Sequence, residues 1–403
     1  MEVHVEQEID VDKVATGGAD FGGERLDATA GQGLVGPLLG RFDGVKKIAV
    51  LRGGGLGDLM FAVPAMQSLA AAYPEATITL LGAPLHAALL DGRPGPVDRV
   101  EVLPFAHGVR PGPEDPVAVE EFLARMREDR FDLAVQLHGG GRFSNPFLLE
   151  LQARHTVGAR TEDAAALERT IPYLYYQHEV LRALEVVGLA GAAPVALQPQ
   201  LTVLPEEETA AAGLLDAGRP SLVTIHPGAS DQRRQWPPSY FAQVAAWAAQ
   251  DGCQVLLIGG SEDADLADDV VSQAQELMHD AGSIRSVAGQ LGLGELAALL
   301  RASDVMLGND SGPRHLAQAV GTPTVGIYWA GNVIMAGALG RTVHRVHMSW
   351  MTHCPVCGSD LTQVGWTAER CEHEFPLTEQ IRPEDVYSDV RQLRATSLLL
   401  RGK

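Results

Sequence analysis

An α/β protein made of two similar halves, each a parallel sheet flanked by helices, is the fold class this sequence predicts, and three observations predict it. Apolar runs of strand length alternate with stretches whose apolar residues recur at helical spacing, the order expected of βαβ units. The first clear run, Lys47 to Leu51 (KIAVL), ends in a glycine-rich turn that opens a helix, and the same theme starts again at Ser221. A third stretch, Leu307 to Thr324 (LGNDSGPRHLAQAVGTPT), packs a strand end, a turn, a helix start and a helix stop into one segment.

Residues 1 to about 43 carry nine acids against three basic residues, with many Gly and Ala, and read as a solvated extension. After KIAVL and Arg52 comes GGGLGD, Gly53 to Asp58, and then Leu59, Ala62, Val63, Met66 and Leu69 at helical spacing. The loop misses the dinucleotide pattern GxGxxG because Asp58 stands where the third glycine belongs, and it lacks the Lys-Ser/Thr of a P-loop. An acid here repels a pyrophosphate and gains from the helix dipole. Asp58 therefore either caps the helix or is kept for chemistry. Pro64 interrupts the pattern and predicts a kink or a restart.

Thr77 to Leu81, Arg99 to Leu103 and Asp132 to Leu137 continue as strands, with helical stretches before two of them. His138-Gly139-Gly140-Gly141 superficially matches the oxyanion segment of esterases, but no GxSxG elbow occurs, so a loop that lets backbone approach a substrate is the better reading. Between Thr161 and Glu185, Tyr173, Tyr175, Tyr176 and His178 suit either a sugar face or core packing. Residues 189 to 219 read as a linker with a peripheral helix.

The second half opens with Ser221 to Ile225 as a strand, ending in His226-Pro227-Gly228-Ala229-Ser230, and Trp236-Pro237 introduces a helix through Trp247. Gln254 to Ile258 is the next strand, ending in Gly259-Gly260-Ser261-Glu262. Arg233 and Arg234 lie where a strand gives way to a helix and could clamp a pyrophosphate or carry solvated surface charge. Glu262 sits where an acid commonly takes ribose hydroxyls. Asp263-Ala264-Asp265 formally spells DxD, which carries little weight in a helix-starting run of acids. In the third stretch, Asn309, Asp310 and Ser311 suit helix caps and Pro313 a first turn, so a helix should begin near Gly312. Its free amides at the carboxyl end of a sheet favour an anion such as a phosphate. The alternative is that Asp310 and Ser311 only cap.

Composition narrows the function classes. A chain of 403 residues suggests two or three domains, and 46% hydrophobic residues describe a globular protein with a sizeable core. A net charge of −20, with 31 basic against 51 acidic residues, excludes a nucleic-acid footprint, so any anionic ligand must be held locally. No long uncharged apolar run or basic leader is found, so no transmembrane segment is expected and a cytoplasmic protein is.

Read together, LGD with a proline six residues after the Asp, HPGAS with a basic residue just before Trp-Pro, GGSED, and GNDSGPRHLAQAVGTP resemble the bacterial heptosyltransferases, glycosyltransferase family 9. The resemblance runs from about Lys47 to about Tyr328. It implies the GT-B architecture, two Rossmann-like domains facing across a cleft. On that plan, residues 1–44 are the acidic extension, 45–205 the acceptor domain, 206–345 the nucleotide-sugar domain, and 346–403 a cysteine-containing segment with a closing helix. The implied activity is inverting transfer from a nucleotide-diphosphate sugar, best ADP-heptose, to a glycan or lipopolysaccharide-type acceptor, with no cofactor needed for catalysis. A lipid-linked acceptor would bring the enzyme to the inner face of the membrane.

Carried over residue by residue, the resemblance makes Asp58 the general base that takes the acceptor proton. Arg234 would offset charge on the departing diphosphate and Glu262 would take the ribose. Asp310, Ser311 and Gly312 would meet sugar and phosphates, with His315 one turn on, and His226 and Gly228 complete the donor side. Gly57, His138 and Arg142 fall on the acceptor side. The chain departs from the family in its N-terminal extension and in HCPVCG, His353 to Gly358, followed by RCEH, Arg370 to His373. Cys354, Cys357, Cys371 and His373 fit a closed structural zinc site; packed reduced thiols or a redox role are the alternatives. Two other functions compete: a Rossmann-type NAD-dependent oxidoreductase or epimerase, and a non-catalytic nucleotide-sugar-binding protein.

Overall fold

A computed structural model describes residues 35–216, 221–278, 283–363 and 369–401, so most of the acidic extension lies outside the described residues. The first sheet contains β1 (Lys47–Leu51), β2 (Thr77–Gly82), β3 (Arg99–Val102), β4 (Leu133–Gln136), β5 (His155–Arg160) and β6 (Arg169–Pro172). The helices between them are α1 (Leu56–Ala72), α2 (Pro84–Leu90), α3 (Pro116–Glu128) and α4 (Ser144–Leu149), with α5 (Glu179–Gly188) after β6. A connecting helix, α6 (Pro205–Ala212), leads to the second sheet, formed by β7 (Leu222–His226), β8 (Gln254–Leu257), β9 (Ile284–Ser286), β10 (Val305–Asn309), β11 (Thr324–Trp329) and β12 (His344–Ser349). Its helices are α7 (Pro238–Gln250), α8 (Ala264–Glu276), α9 (Leu293–Ala302), α10 (Gly312–Ala319), α11 (Ala330–Ala336) and the closing α12 (Pro383–Arg401).

The strand orders are β3-β2-β1-β4-β5-β6 and β12-β11-β10-β7-β8-β9, parallel throughout. Read from its own first strand, each sheet therefore has the same doubly wound order, and its switch point lies between β1 and β4 or between β7 and β10. Both central pairs are pinned alike. Asp132, just before β4, accepts from the amides of Lys46 and Lys47 at 2.8 and 3.1 Å. Asp304, just before β10, accepts from the Leu222 amide at 2.9 Å and the Ser221 hydroxyl at 3.0 Å.

Ile48, Ala49, Val50 and Leu51 are fully buried, as are Val223 and Ile225, because helices cover both faces of each sheet. Of the strands that the sequence reading did not name, β5, β6, β9 and β12 lie toward sheet edges and mix charged or polar residues into short runs, whereas β11 is wholly buried and was passed over because it follows directly on the helix stop at Gly321 and Pro323. An edge strand buries less, so its apolar signal is weak.

Of the kink or restart expected at Pro64, the restart does not occur: α1 continues through it as one helix. A buried proline costs a helix about 3 kcal/mol, but this helix is sandwiched between α5 and α10. Leu59, Met60, Ala62, Val63, Pro64, Ala65 and Met66 are all buried, which outweighs the lost hydrogen bond. One apolar cluster runs through both halves, joining Val50, Leu59 and Met66 to Leu256, Leu299, Met306 and Leu316. On the far side of the second sheet, Trp236 and Phe241 pack with Val386, Val390 and Leu393 of α12, so the chain's end closes onto the second half.

Candidate active site

The starts of α1 and α10, one from each sheet, meet. A Cβ placed on Gly312 would lie 2.9 Å from Leu56 Cβ and 3.5 Å from the Gly57 nitrogen, and one on Gly57 would lie 3.1 Å from His315 Cδ2. Only glycine at both places lets the helix starts approach so closely. Gly57 is thus turned toward the second half of the molecule. The positive ends of two helix dipoles converge there, at the carboxyl ends of the switch-point strands.

Asp58 stands in the first turn of α1. One carboxylate oxygen accepts from the Gly55 amide at 2.8 Å and the other from Arg52 Nη2 at 2.6 Å, and 44% of the side chain remains exposed. It caps the helix and also keeps a solvent-exposed face. Arg52 is buried and divides its guanidinium among Asp58, Glu179 at 3.3 Å and the Leu137 carbonyl. Glu179 is in turn held by the buried Arg182, which lies 4.3 Å over the Tyr173 ring. One carboxylate, Glu179, and two guanidiniums, Arg52 and Arg182, therefore form a largely buried chain behind Asp58.

His138 accepts the Gly53 amide at its Nδ1, 3.1 Å away, and links the loops after β1 and β4. Burial, then the Arg52 charge, hold its pKa below the ordinary histidine value. The glycines after it shape a loop that Gln136 secures by donating to the His138 and Gly139 carbonyls. Arg142 is exposed at the rim and pairs with Asp163 at 3.3 Å.

In the second half, none of the three expected caps works as one. Asn309 is fully buried, donates to the Pro227 and Gly228 carbonyls at 2.7 and 3.2 Å, and accepts the Trp236 amide at 3.0 Å, which fixes the loop after β7. Ser311 occupies the N-cap position of α10 without a side-chain cap; its hydroxyl instead meets His226 Nδ1 at 2.9 Å. The other His226 nitrogen meets Asp263 at 3.2 Å. Asp263 thus points inward at His226, while Asp265 is exposed, so the two acids of the formal DxD do not act together.

Asp310 accepts from His315 Nε2 at 3.0 Å and from Asn332 at 2.7 Å, with Arg314 at 3.4 Å. Burial alone would raise its pKa; the hydrogen bond from His315 and the Arg314 charge outweigh this and hold it well below the carboxylate range. Burial, joined by Arg314, pushes His315 down to about 4, so it is neutral and donates to Asp310. Phe61 of α1 packs edge-on against His315 with ring centroids 4.4 Å apart, which ties this network to the first half.

The two arginines after β7 part ways. Arg233 is buried and bonded to Asp231 at 2.8 Å, so it holds the loop together and cannot clamp a ligand. Arg234 is 37% exposed and pairs with Asp231 only at 3.8 Å, so it is the more loosely held cation of the two. Glu262, in the short turn Ser261–Asp263 after β8, is exposed. Arg52, Glu179 and Arg182 escaped the sequence reading as site residues, and Asp263 entered it only as part of the formal DxD, not as the partner of His226. Arg52 had a usable signal: a charge directly after a wholly apolar strand, at the end of a sheet where ligands bind.

Cys354, Cys357, Cys371 and His373 come together with all their ligand atoms within 4.8 Å of one another. The turn is a knuckle. The Cys357 amide points at Cys354 Sγ, 3.5 Å away, and Gly358 takes a φ of +74° that a side chain would strain. His373 Nδ1 is buried without a hydrogen-bond partner. An orphaned ring nitrogen beside three sulfurs fits a tetrahedral metal, and the group is compatible with a structural metal.

Two doubly wound domains whose switch points face each other, with a carboxylate on one and a helix start on the other, define a GT-B glycosyltransferase. The profile of glycosyltransferase family 9 (heptosyltransferase) matches residues 119–358, and the chain belongs to that family. Lipopolysaccharide heptosyltransferase 2 of Salmonella typhimurium is 27% identical over 297 residues, 70% of this chain and 82% of that one. The structure of ADP-heptose lps heptosyltransferase II from E. coli superimposes with a TM-score of 0.67 at 21% identity, covering 87% of this chain and 99% of the other. The iron-containing dodecameric glycosyltransferase TibC from enterotoxigenic E. coli H10407 superimposes with a TM-score of 0.52 at 14% identity, covering 88% and 78%. Among the described residues no helix is long and apolar enough to cross a membrane.

Proposed function

We propose that this glycosyltransferase moves a heptose, with inversion, from ADP-heptose to a hydroxyl of a lipopolysaccharide-type acceptor. The observation that carries the reading is the meeting of the α1 and α10 starts at Gly57 and Gly312, one residue from the half-exposed Asp58 on one side and from Ser311 on the other. An attacking hydroxyl and a departing diphosphate need those two groups within one cleft. Family membership and the curated relative that acts on lipopolysaccharide support the sugar and the acceptor class.

In this reading Asp58 is the base, with Gly57, His138 and Arg142 on the acceptor side in residues 45–205. Arg234, Glu262, Asp310, Ser311, Gly312, His315, His226 and Gly228 form the donor side in residues 206–345. The enzyme works in the cytoplasm, at the inner face of the membrane when its acceptor is lipid-linked. Calorimetric titration with ADP, UDP and GDP tests the donor. ADP should bind best, and Arg234→Ala should weaken it by about 1.5–3 kcal/mol, the worth of a hydrogen bond to a charged group. Preference for UDP or GDP would replace the donor, and an unchanged variant would remove Arg234 from the site.

The three thiols and His373 hold a structural metal, zinc by the chemistry of the donor set, with iron the competing occupant because the same ligands serve it and one structural relative is iron-containing. Elemental analysis of the purified chain should return one equivalent, and Cys357→Ser should lose it. A wild-type chain without metal would leave the thiols as packing groups.

A further inference from the structure

The cysteine cluster lies beside the loop that carries Arg234, and the contacts between them are directional. From Cys371 onward the chain runs along the Asp231–Trp236 segment and grips it repeatedly. Arg370 Nη1 faces Asp231 at 3.8 Å, the Leu377 amide donates to the Arg233 carbonyl at 2.6 Å, and the Thr378 hydroxyl donates to the Gln235 carbonyl at 3.0 Å. Trp236 Nε1 closes the row by donating to the Ile381 carbonyl at 2.9 Å. Thr378 is fully buried, so its hydrogen bond is shielded from competing water. On its other side the cluster reaches the first half, where the Tyr176 hydroxyl donates to the Thr362 carbonyl.

We propose that the segment from Arg370 to Thr378, anchored at Cys371 and His373, is a brace that positions the Asp231–Gln235 loop and so holds Arg234 toward the donor. This rests on the donor reading given above. From the rest of the second half the loop is held at its two ends by Asn309, which takes the Trp236 amide and donates to the Pro227 and Gly228 carbonyls; the stretch between depends on its own turn and on the brace. Its turn, Gln232–Arg234, is a single 3₁₀ turn, and its internal tie is the Asp231–Arg233 pair. The internal hydrogen bonds of such a turn are poorly aligned, so partners outside it add to its definition, and Arg233 and Gln235 both give their carbonyls to the brace. A metal linking Cys354 and Cys357 to Cys371 and His373 would fix where the brace begins. Arg370 is 42% exposed, so its pair with Asp231 contributes little. Thr378 and the Leu377 amide carry most of the effect.

The test uses the full chain as Thr378→Val, as Arg370→Ala, and as wild type stripped of metal by a chelator. Hydrogen exchange over residues 231–236 is followed without ligand, and ADP affinity is then measured by calorimetry. Thr378→Val should exchange faster in that segment alone and bind ADP about threefold to thirtyfold more weakly, the range of a remote coupling, while keeping its metal. Chelation should act in the same direction and Arg370→Ala more weakly. Unchanged exchange in Thr378→Val would overturn the brace. Faster exchange with unchanged ADP affinity would overturn its link to the donor. If Arg234→Ala binds ADP like wild type, the donor reading fails on its own account, and the brace then stands or falls on exchange alone.

Discussion

Asp58→Asn should slow sugar transfer by about three orders of magnitude, the middle of the range for a general base, while ADP affinity stays near that of wild type. The substitution is nearly isosteric, and the amide oxygen can still accept from the Gly55 amide. Arg52 keeps Glu179 and the Leu137 carbonyl, so the buried chain behind the site retains a counter-charge. The helix loses the dipole interaction of one first-turn acid, about 0.3–1 kcal/mol, too little to unfold it. What disappears is the open carboxylate lone pair that takes the proton. The measurement is transfer from ADP-heptose to a lipopolysaccharide-type acceptor, beside calorimetry with ADP. Transfer at the wild-type rate would take Asp58 out of the chemistry; lost ADP binding would make it a donor residue. A binding protein without catalysis would be indifferent to the change in both assays.

The largest stability effect belongs to Asp310. Asp310→Ala should cost about 3–5 kcal/mol in urea denaturation, because it leaves the buried Arg314 guanidinium without its carboxylate. Asn332 and His315 lose their acceptor as well. The same network sets a pH dependence in two windows. His315 has a folded pKa pushed down to about 4 from 6.5, so the unfolded chain takes up its proton first. Stability is whole above 6.5 and falls between 6.5 and 4, by about 1.4 kcal/mol per pH unit for each such histidine. His86 and His344, also pushed down to about 4 by burial, steepen the same window. Asp310 is depressed, so its contribution is present above the unfolded carboxylate value and is lost only as pH falls below it. A wild-type urea midpoint that stayed level from pH 6.5 to 4 would contradict the burial of these histidines as neutral rings.

How much of this could be read from the residues depended on how local the signal was. The central strands announced themselves because β1, β4, β7 and β10 are covered on both faces and must be apolar. Asp58 and the Asp310–Gly312 segment were legible because a turn, a helix start and a chemical group fall within a few residues. Partnerships across the chain left no local trace: Arg52 meets Glu179 127 positions away, and His226 meets Asp263 37 positions away. Arg233 and Arg234 are adjacent and chemically identical, and only the 3₁₀ turn decides that the first faces inward. The proline in α1 misled because its local penalty is real, while the burial that offsets it comes from helices of both halves.

The close approach of Gly57 and Gly312 has a mechanical meaning. Where two bodies touch backbone to backbone, with an apolar cluster continuous through the joint, relative rotation has its fulcrum at that contact. Points near a fulcrum travel least. Opening of the cleft would carry the distant parts of each half through a long arc, while Gly57 and Gly312 keep nearly the same separation. A site built at that contact would stay assembled through the whole cycle, and groups farther out would close and withdraw around it.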